Sequence, residues 1–145
     1  MNSFSRKTTY ALEAILEIVQ GNGSDPAQTR TFTDSKGVGP RYLEKVMQKL
    51  VRAGILKGVR GPGGGYHLAR ERRRISIGEI VRIAESVGGS SELELEEGSP
   101  LATHVVHPLM RDVHEAMMRE LDGVSLDDLC HRAVARGVMQ PRDER

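Results

Sequence analysis

The chain has 145 residues, with 21 basic and 20 acidic side chains, a single cysteine and only 3% aromatics. That length suits one domain with an appendage, its core has to be aliphatic, and no apolar run reaches the ~18–20 residues of a membrane span. One thiol, Cys130, excludes an internal disulfide framework and fits a reducing compartment, and Met1 to Lys7 lack the apolar stretch of a signal peptide, so the expected location is the cytoplasm.

The first helix is predicted from Tyr10, Leu12, Ile15, Leu16, Ile18 and Val19, which fall at helical spacing, with Gly21 as its stop. Residues 21–28 read as a polar loop around Pro26. Residues 29–36 are expected to form a short helix on a weak pattern of three threonines and Phe32. Gly37-Val38-Gly39 supplies a turn, and Pro40 suits the first position of the next helix, where its missing N–H costs little. That helix is expected to reach about Ala53, with Leu43, Val46, Met47 and Leu50 on the buried stripe and Gly54 as its stop. It also carries Arg41, Lys45, Lys49 and Arg52.

Two short apolar runs follow, Gly54-Ile55-Leu56-Lys57 and Tyr66-His67-Leu68-Ala69. Between them lies Val59-Arg60-Gly61-Pro62-Gly63-Gly64-Gly65, with four glycines, a proline and one arginine. This predicts a β-hairpin whose tip is too bare to pack and whose backbone can approach a large partner closely. A basic helix followed by such a hairpin is the outline of a winged helix-turn-helix that grips DNA. Charge agrees. Residues 36–74 hold eleven basic and two acidic side chains, a net of +9, while residues 1–35 carry −1 and residues 75–145 carry −7. A block this basic is the footprint expected for a polyanion; the alternative is a solvated face balanced by the acidic last third.

Ser76-Ile77-Gly78-Glu79 reads as a capping box, opening a helix with Ile77, Ile80, Val81 and Ala84 on its apolar face and ending at Gly88-Gly89-Ser90-Ser91. Residues 90–100 read as a loop with four glutamates, closed by Pro100. A longer helix is predicted from roughly His104 to Leu121, with Pro108 near its first turn, Val106, Leu109, Met110, Val113, Met117 and Leu121 on one stripe, and Gly123 as its stop. Ser125-Leu126-Asp127-Asp128 caps a last short helix ending near Gly137, and the tail from Gln140 to Arg145 reads as frayed. The long helix has little domain left to cover its stripe. The same helix of a second chain would cover it, and two-fold DNA readers need such an element; the alternative is a helix folded back on its own domain. The expected division is a DNA-binding domain over 1–87, a sensor-region loop over 88–103, the dimerisation helix and short last helix over 104–138, and the tail over 139–145.

Arg41-Tyr42-Leu43-Glu44, the run Leu50-Val51-Arg52-Ala53-Gly54-Ile55-Leu56 and Arg60-Gly61-Pro62-Gly63-Gly64-Gly65-Tyr66 together resemble the DNA-binding core of the Rrf2 family of bacterial transcription regulators. Thr8 to Leu12, Ile75-Ser76-Ile77 and Leu121 to Leu129 are similar as well, so the likeness spans about residues 4–130. The resemblance implies a fold that is mainly α with a small β-hairpin wing, a winged helix-turn-helix plus a long dimerisation helix. It implies a homodimer, expected to act as a repressor at near-palindromic promoter DNA. On that footing Arg41, Tyr42, Glu44, Lys45, Gln48 and Lys49 sit on the recognition helix in the major groove. There Arg and Lys suit phosphates or guanine, Glu accepts from cytosine and Gln suits adenine. Arg60 reaches the minor groove from the wing, and Gly61, Gly63, Gly64 and Gly65 let the wing backbone approach. Glu44 has a rival role as a surface partner of Lys45 or Arg41. Residues 28–35 depart from the family pattern, with Thr29-Arg30-Thr31-Phe32-Thr33 where an alanine-rich helix is usual.

Many members of this family hold an iron–sulfur cluster with three cysteines ahead of the dimerisation helix. This chain has none there, and Cys130 cannot stand in for three thiolates, so a cluster of that kind is excluded by counting. Alignment on Arg111-Asp112-Val113 puts His104 at the third cysteine and His107 where some relatives have a histidine ligand. With a glutamate from Glu92, Glu94, Glu96 or Glu97 the pair suits zinc, iron or haem; the plainer reading is a solvated or capping pair. His114 lies seven residues beyond His107, on the same helical face. Cys130 lies on an apolar helix with Leu126, Leu129 and Val134 and reads as packed, with a lone redox switch or control by a protein partner as other sources of signal. Enzyme classes are excluded: no Lys-Ser/Thr follows the glycines, and neither GxSxG nor HExxH occurs. The remaining rival is a winged helix that binds protein rather than DNA.

Overall fold

The computed structural model describes residues 4–21, 40–61, 65–87 and 98–141. The short helix expected over 29–36 lies outside them, as do Gly63, Gly64 and Glu92 to Glu97. Helix α1, Arg6–Gln20, starts at Ser5, whose hydroxyl accepts from the Thr8 amide, and ends where the Gly21 amide donates to Glu17 O at 2.8 Å. Helix α2 spans Pro40–Arg52. It stops because Gly54 takes φ +75°, a left-handed conformation that L side chains rarely adopt, so that Ile55 N turns back to donate to Leu50 O at 3.0 Å. Strands β1, Leu56–Val59, and β2, Gly65–Leu68, pair antiparallel from Leu56↔Leu68 to Val59↔Gly65. Ala69 N extends the ladder to Ile55 O at 2.9 Å.

A short 3-10 turn, Arg72–Arg74, leads to α3, Ile77–Val87. The capping box forms as expected: Glu79 N donates to Ser76 Oγ and Ser76 N donates to Glu79 Oε2, both at 3.1 Å. Helix α4, His107–Asp122, and helix α5, Leu126–Ala135, complete the described chain. The second capping box is also present, at Ser125 and Asp128. No helix among the described residues is long and apolar enough to cross a membrane.

The long helix begins earlier than its periodicity implied. Helical backbone starts at Pro100 and passes through a π turn, Ala102–Val106, where His107 N donates to Ala102 O. Pro108 accounts for this. In a regular helix its ring would collide with the carbonyl four residues earlier, and it has no N–H to offer. A one-residue widening ahead of it relieves both problems.

The core forms where α1, α2 and α3 meet the inner side of the hairpin. Ala11, Ile15, Leu43, Val46, Met47, Leu50, Ile55, Ile80 and Ala84 are sealed from solvent there, and Met118, Leu126 and Cys130 extend the cluster into α4 and α5. The turn between α4 and α5 is bonded to the segment that follows the wing. Ile77 N donates to Val124 O and Leu126 N to Ile75 O, each at 2.8 Å, around an antiparallel bridge of Ser76 with Ser125. Arg82 forks onto Asp122 at 2.6 and 2.8 Å, and Arg72 reaches Asp127 at 3.4 Å. Gly78 lies against Asp122, and a side chain there would meet that carboxylate.

Two of these carboxylates are held below the usual aspartate range. The Arg82 guanidinium does this for Asp122; for Asp128 it is the Ser125 amide, then the Ser125 hydroxyl. Carboxylates depressed on folding contribute stability above the unfolded value, about pH 3.9, and lose it as pH falls through the folded one. The urea midpoint should therefore decline on acidification below about pH 4. That decline should be shallower in the Asp122→Asn/Asp128→Asn double variant, and an unchanged acid profile would contradict both assignments.

Candidate nucleic-acid interface

Successive side chains on α2 turn by about 100°, and burial sorts them into two faces. Leu43, Val46, Met47 and Leu50 point into the core, whereas Arg41, Glu44, Lys45, Gln48, Lys49 and Arg52 are exposed. Arg41, Lys45, Gln48 and Arg52 lie opposite the buried stripe, at the crest of the outer face. Arg52 was not among the reading side chains expected from the sequence, yet it shares that crest. Its position one turn beyond Gln48 was the available signal.

The flanks of α2 are occupied. Lys49 Nζ donates to Ser86 Oγ on α3 at 3.0 Å. Tyr42, expected among the DNA-contacting residues of the recognition helix, faces the core instead. It is 8% exposed, its hydroxyl donates to Ala84 O at 3.2 Å, and burial pushes its phenol pKa up. Lys7 sits over its ring, 5.4 Å from the centroid, within the range of a cation–π contact. Tyr42 therefore locks α2 against α3, because an aromatic ring of this size is more stable buried with its one polar atom bonded. On the other flank Glu44 faces the wing: Tyr66 of β2 is half-buried, and its phenol is raised by burial and then by the Glu44 charge.

Arg60 is exposed at the end of β1, followed by Gly61 at φ +112°. That angle needs glycine, so the arginine is presented from a turn that other residues would strain. Arg41, Glu44, Lys45, Gln48, Lys49, Arg60 and Gly61 are thus all on the surface, and Tyr42 is not.

The two histidines proposed as metal ligands differ in setting. His104 is exposed within the π turn, while His107 is half-buried and its Nδ1 is buried without a hydrogen-bond partner among the described residues. Among the described residues no three His, Cys, Asp or Glu side chains come together as a metal-binding group.

The Rrf2 family profile, described as that of an iron-dependent transcriptional regulator, matches residues 4–132. The chain belongs to the Rrf2 family. The HTH-type transcriptional regulator IscR of Aliivibrio salmonicida (strain LFI1238) is 31% identical over 124 residues, covering 85% of this chain and 74% of that protein. Among solved structures, T. potens IscR superposes with a TM-score of 0.67 at 29% identity, over 97% of this chain and 94% of that one. The global cysteine regulator CymR of B. subtilis superposes at 0.61 with 30% identity, over 89% and 96%. Family membership makes the chain a DNA-binding transcription regulator on a winged-helix scaffold, and not an enzyme.

A cysteine-ligated cluster does not fit this member. Its one thiol, Cys130, is 2% exposed and packed on α5, and the segment ahead of α4 holds no cysteine.

Proposed function

We propose that this regulator acts as a homodimeric repressor at near-palindromic promoter DNA. The crest of α2 enters the major groove and Arg60 probes the minor groove from the wing. The observation that carries this reading is the outer face of α2, where Arg41, Lys45, Gln48 and Arg52 stand exposed together, with an exposed arginine ahead of a glycine turn in the wing. Lys and Arg supply the phosphate contacts that dominate affinity, and Gln48 and Glu44 supply base-edge chemistry. The exposed stripe of α4 supplies the dimer contact.

A band shift with salt titration tests it. Each lost phosphate contact should lower the slope of log affinity against log salt by about 0.9, so Lys45→Met should bind more weakly on every duplex and with a shallower slope. Arg60→Ala should lose about 1–3 kcal/mol. An Arg60→Ala protein that binds as tightly as the parent would remove the wing from the interface.

For the signal, the Nδ1 of His107, buried and without a partner among the described residues, favours a bound group at the start of α4, because buried polar atoms are nearly always satisfied. We infer a metal or haem held by His107 with His104. Metal analysis and an absorption spectrum of protein purified without a histidine tag decide this; no metal and no Soret band after reconstitution end the reading.

A further inference from the structure

Arg70 belongs by sequence to the basic block, but its guanidinium is directed inward. Nε donates to Gly54 O, Nη1 to Arg74 O and Nη2 to Ala53 O, each at 3.2 Å. The Glu79 carboxylate spans both terminal nitrogens, at 3.4 Å from Nη1 and 3.3 Å from Nη2. Guanidinium has five N–H donors in a rigid fork. Three carbonyls and a carboxylate bridging both nitrogens use all five, leaving none directed at a phosphate.

The partners come from three elements, and Arg70 itself adds a fourth. Ala53 and Gly54 are the C-terminal end of the recognition helix, where unpaired carbonyls and the helix dipole favour a cation. Arg70 itself follows the returning strand of the wing. Arg74 closes the 3-10 turn, and Glu79 caps α3, its Oε2 accepting from Ser76 N.

We propose that Arg70 is a positioning residue for DNA recognition, a clasp that sets the angle between the recognition helix and the wing. Both elements leave the same point, Gly54 with Ile55, and Ala69 N to Ile55 O ties the returning strand back to it through the backbone. With the fork in place the two reading elements form one rigid unit, and a sequence whose grooves match that spacing is preferred. This rests on the reading that α2 and the wing engage one duplex together.

The full-length chain is tested with two probes: a duplex selected from random sequence by the parent protein, and the unselected random pool. Arg70→Lys keeps the charge but cannot fork. It should bind the selected duplex about tenfold more weakly or worse, bind the random pool as the parent does, and keep the parent's salt slope. Glu79→Gln, which retains an oxygen for the Ser76 amide, should lose selectivity in the same direction and carries the test if Arg70→Lys does not fold. Arg70→Met removes the charge and should also keep the parent's salt slope; a slope lowered by about 0.9 in that variant, with equal losses on both probes, would make Arg70 a phosphate contact and overturn the clasp. So would unchanged selectivity in Arg70→Lys and Glu79→Gln together. Lys45→Met serves as the control: if it also binds both probes like the parent, it is the interface reading that has failed, not the clasp alone.

Discussion

Leu109→Glu is expected to yield a folded monomer with at least about a hundredfold weaker hold on its operator. In the isolated chain Val106, Leu109, Met110 and Val113 are 50%, 60%, 47% and 55% exposed. They recur at i, i+3, i+4 and i+7, so they form one stripe along α4, and Leu101 and Val105 extend it across the π turn. Contiguous apolar surface of this kind marks an interaction site. In the proposed homodimer a second copy in two-fold register covers it with the same residues, which doubles the effect of each substitution. Burying one leucine is worth roughly 1.5–3 kcal/mol, so two symmetry-related losses come to roughly 3–6 kcal/mol, before the desolvation of two carboxylates is added. Operator binding falls with dimerisation, because one protomer holds only one half-site. Sedimentation equilibrium and DNA-binding anisotropy check the two halves of this expectation. A Leu109→Glu protein that stays dimeric at low micromolar concentration would mean that α4 does not form the contact.

The same stripe was legible from the sequence, as were the capping box at Ser76, the cap at Ser125 and the stops at Gly21 and Gly54. All of these rest on interactions within one or two helical turns. Three features were not legible, each for a physical reason. Tyr42 carries both an apolar ring and a polar tip, and only the distance from its hydroxyl to Ala84 O, 42 residues away, decides between core and groove. Arg52 and Arg70 count equally as positive charges, yet one stands on the crest of α2 and the other is held by three carbonyls from two elements. Charge totals carry no information about donor geometry. The pairing of Ser76 with Ser125 joins segments far apart in sequence, and nothing in either segment's composition announces it. Within the candidate site, then, residue types were readable and their division into contacts and supports was not.

That division makes Leu50 the sharpest test of α2 as a support for its own outer face. Leu50 is 0% exposed, belongs to one core with Ile55 and Ile80, and lends its carbonyl to the turn that ends the helix. Leu50→Ala removes three heavy atoms from close-packed surroundings and leaves a cavity, which typically costs about 2–5 kcal/mol. Against a total stability of roughly 5–15 kcal/mol, that is a large share. Urea unfolding at fixed protein concentration should reveal it, the concentration being held because the proposed dimerisation would add to apparent stability. Val51→Ala, one residue along the same helix at 36% exposure, should cost well under half as much. Neither residue offers a charge to phosphate, so the folded fraction of each variant should keep the parent's salt slope while Leu50→Ala unfolds at lower urea. If the two substitutions cost the same, the helix is rotated from the orientation described, and Arg41, Lys45, Gln48 and Arg52 no longer share its outer crest.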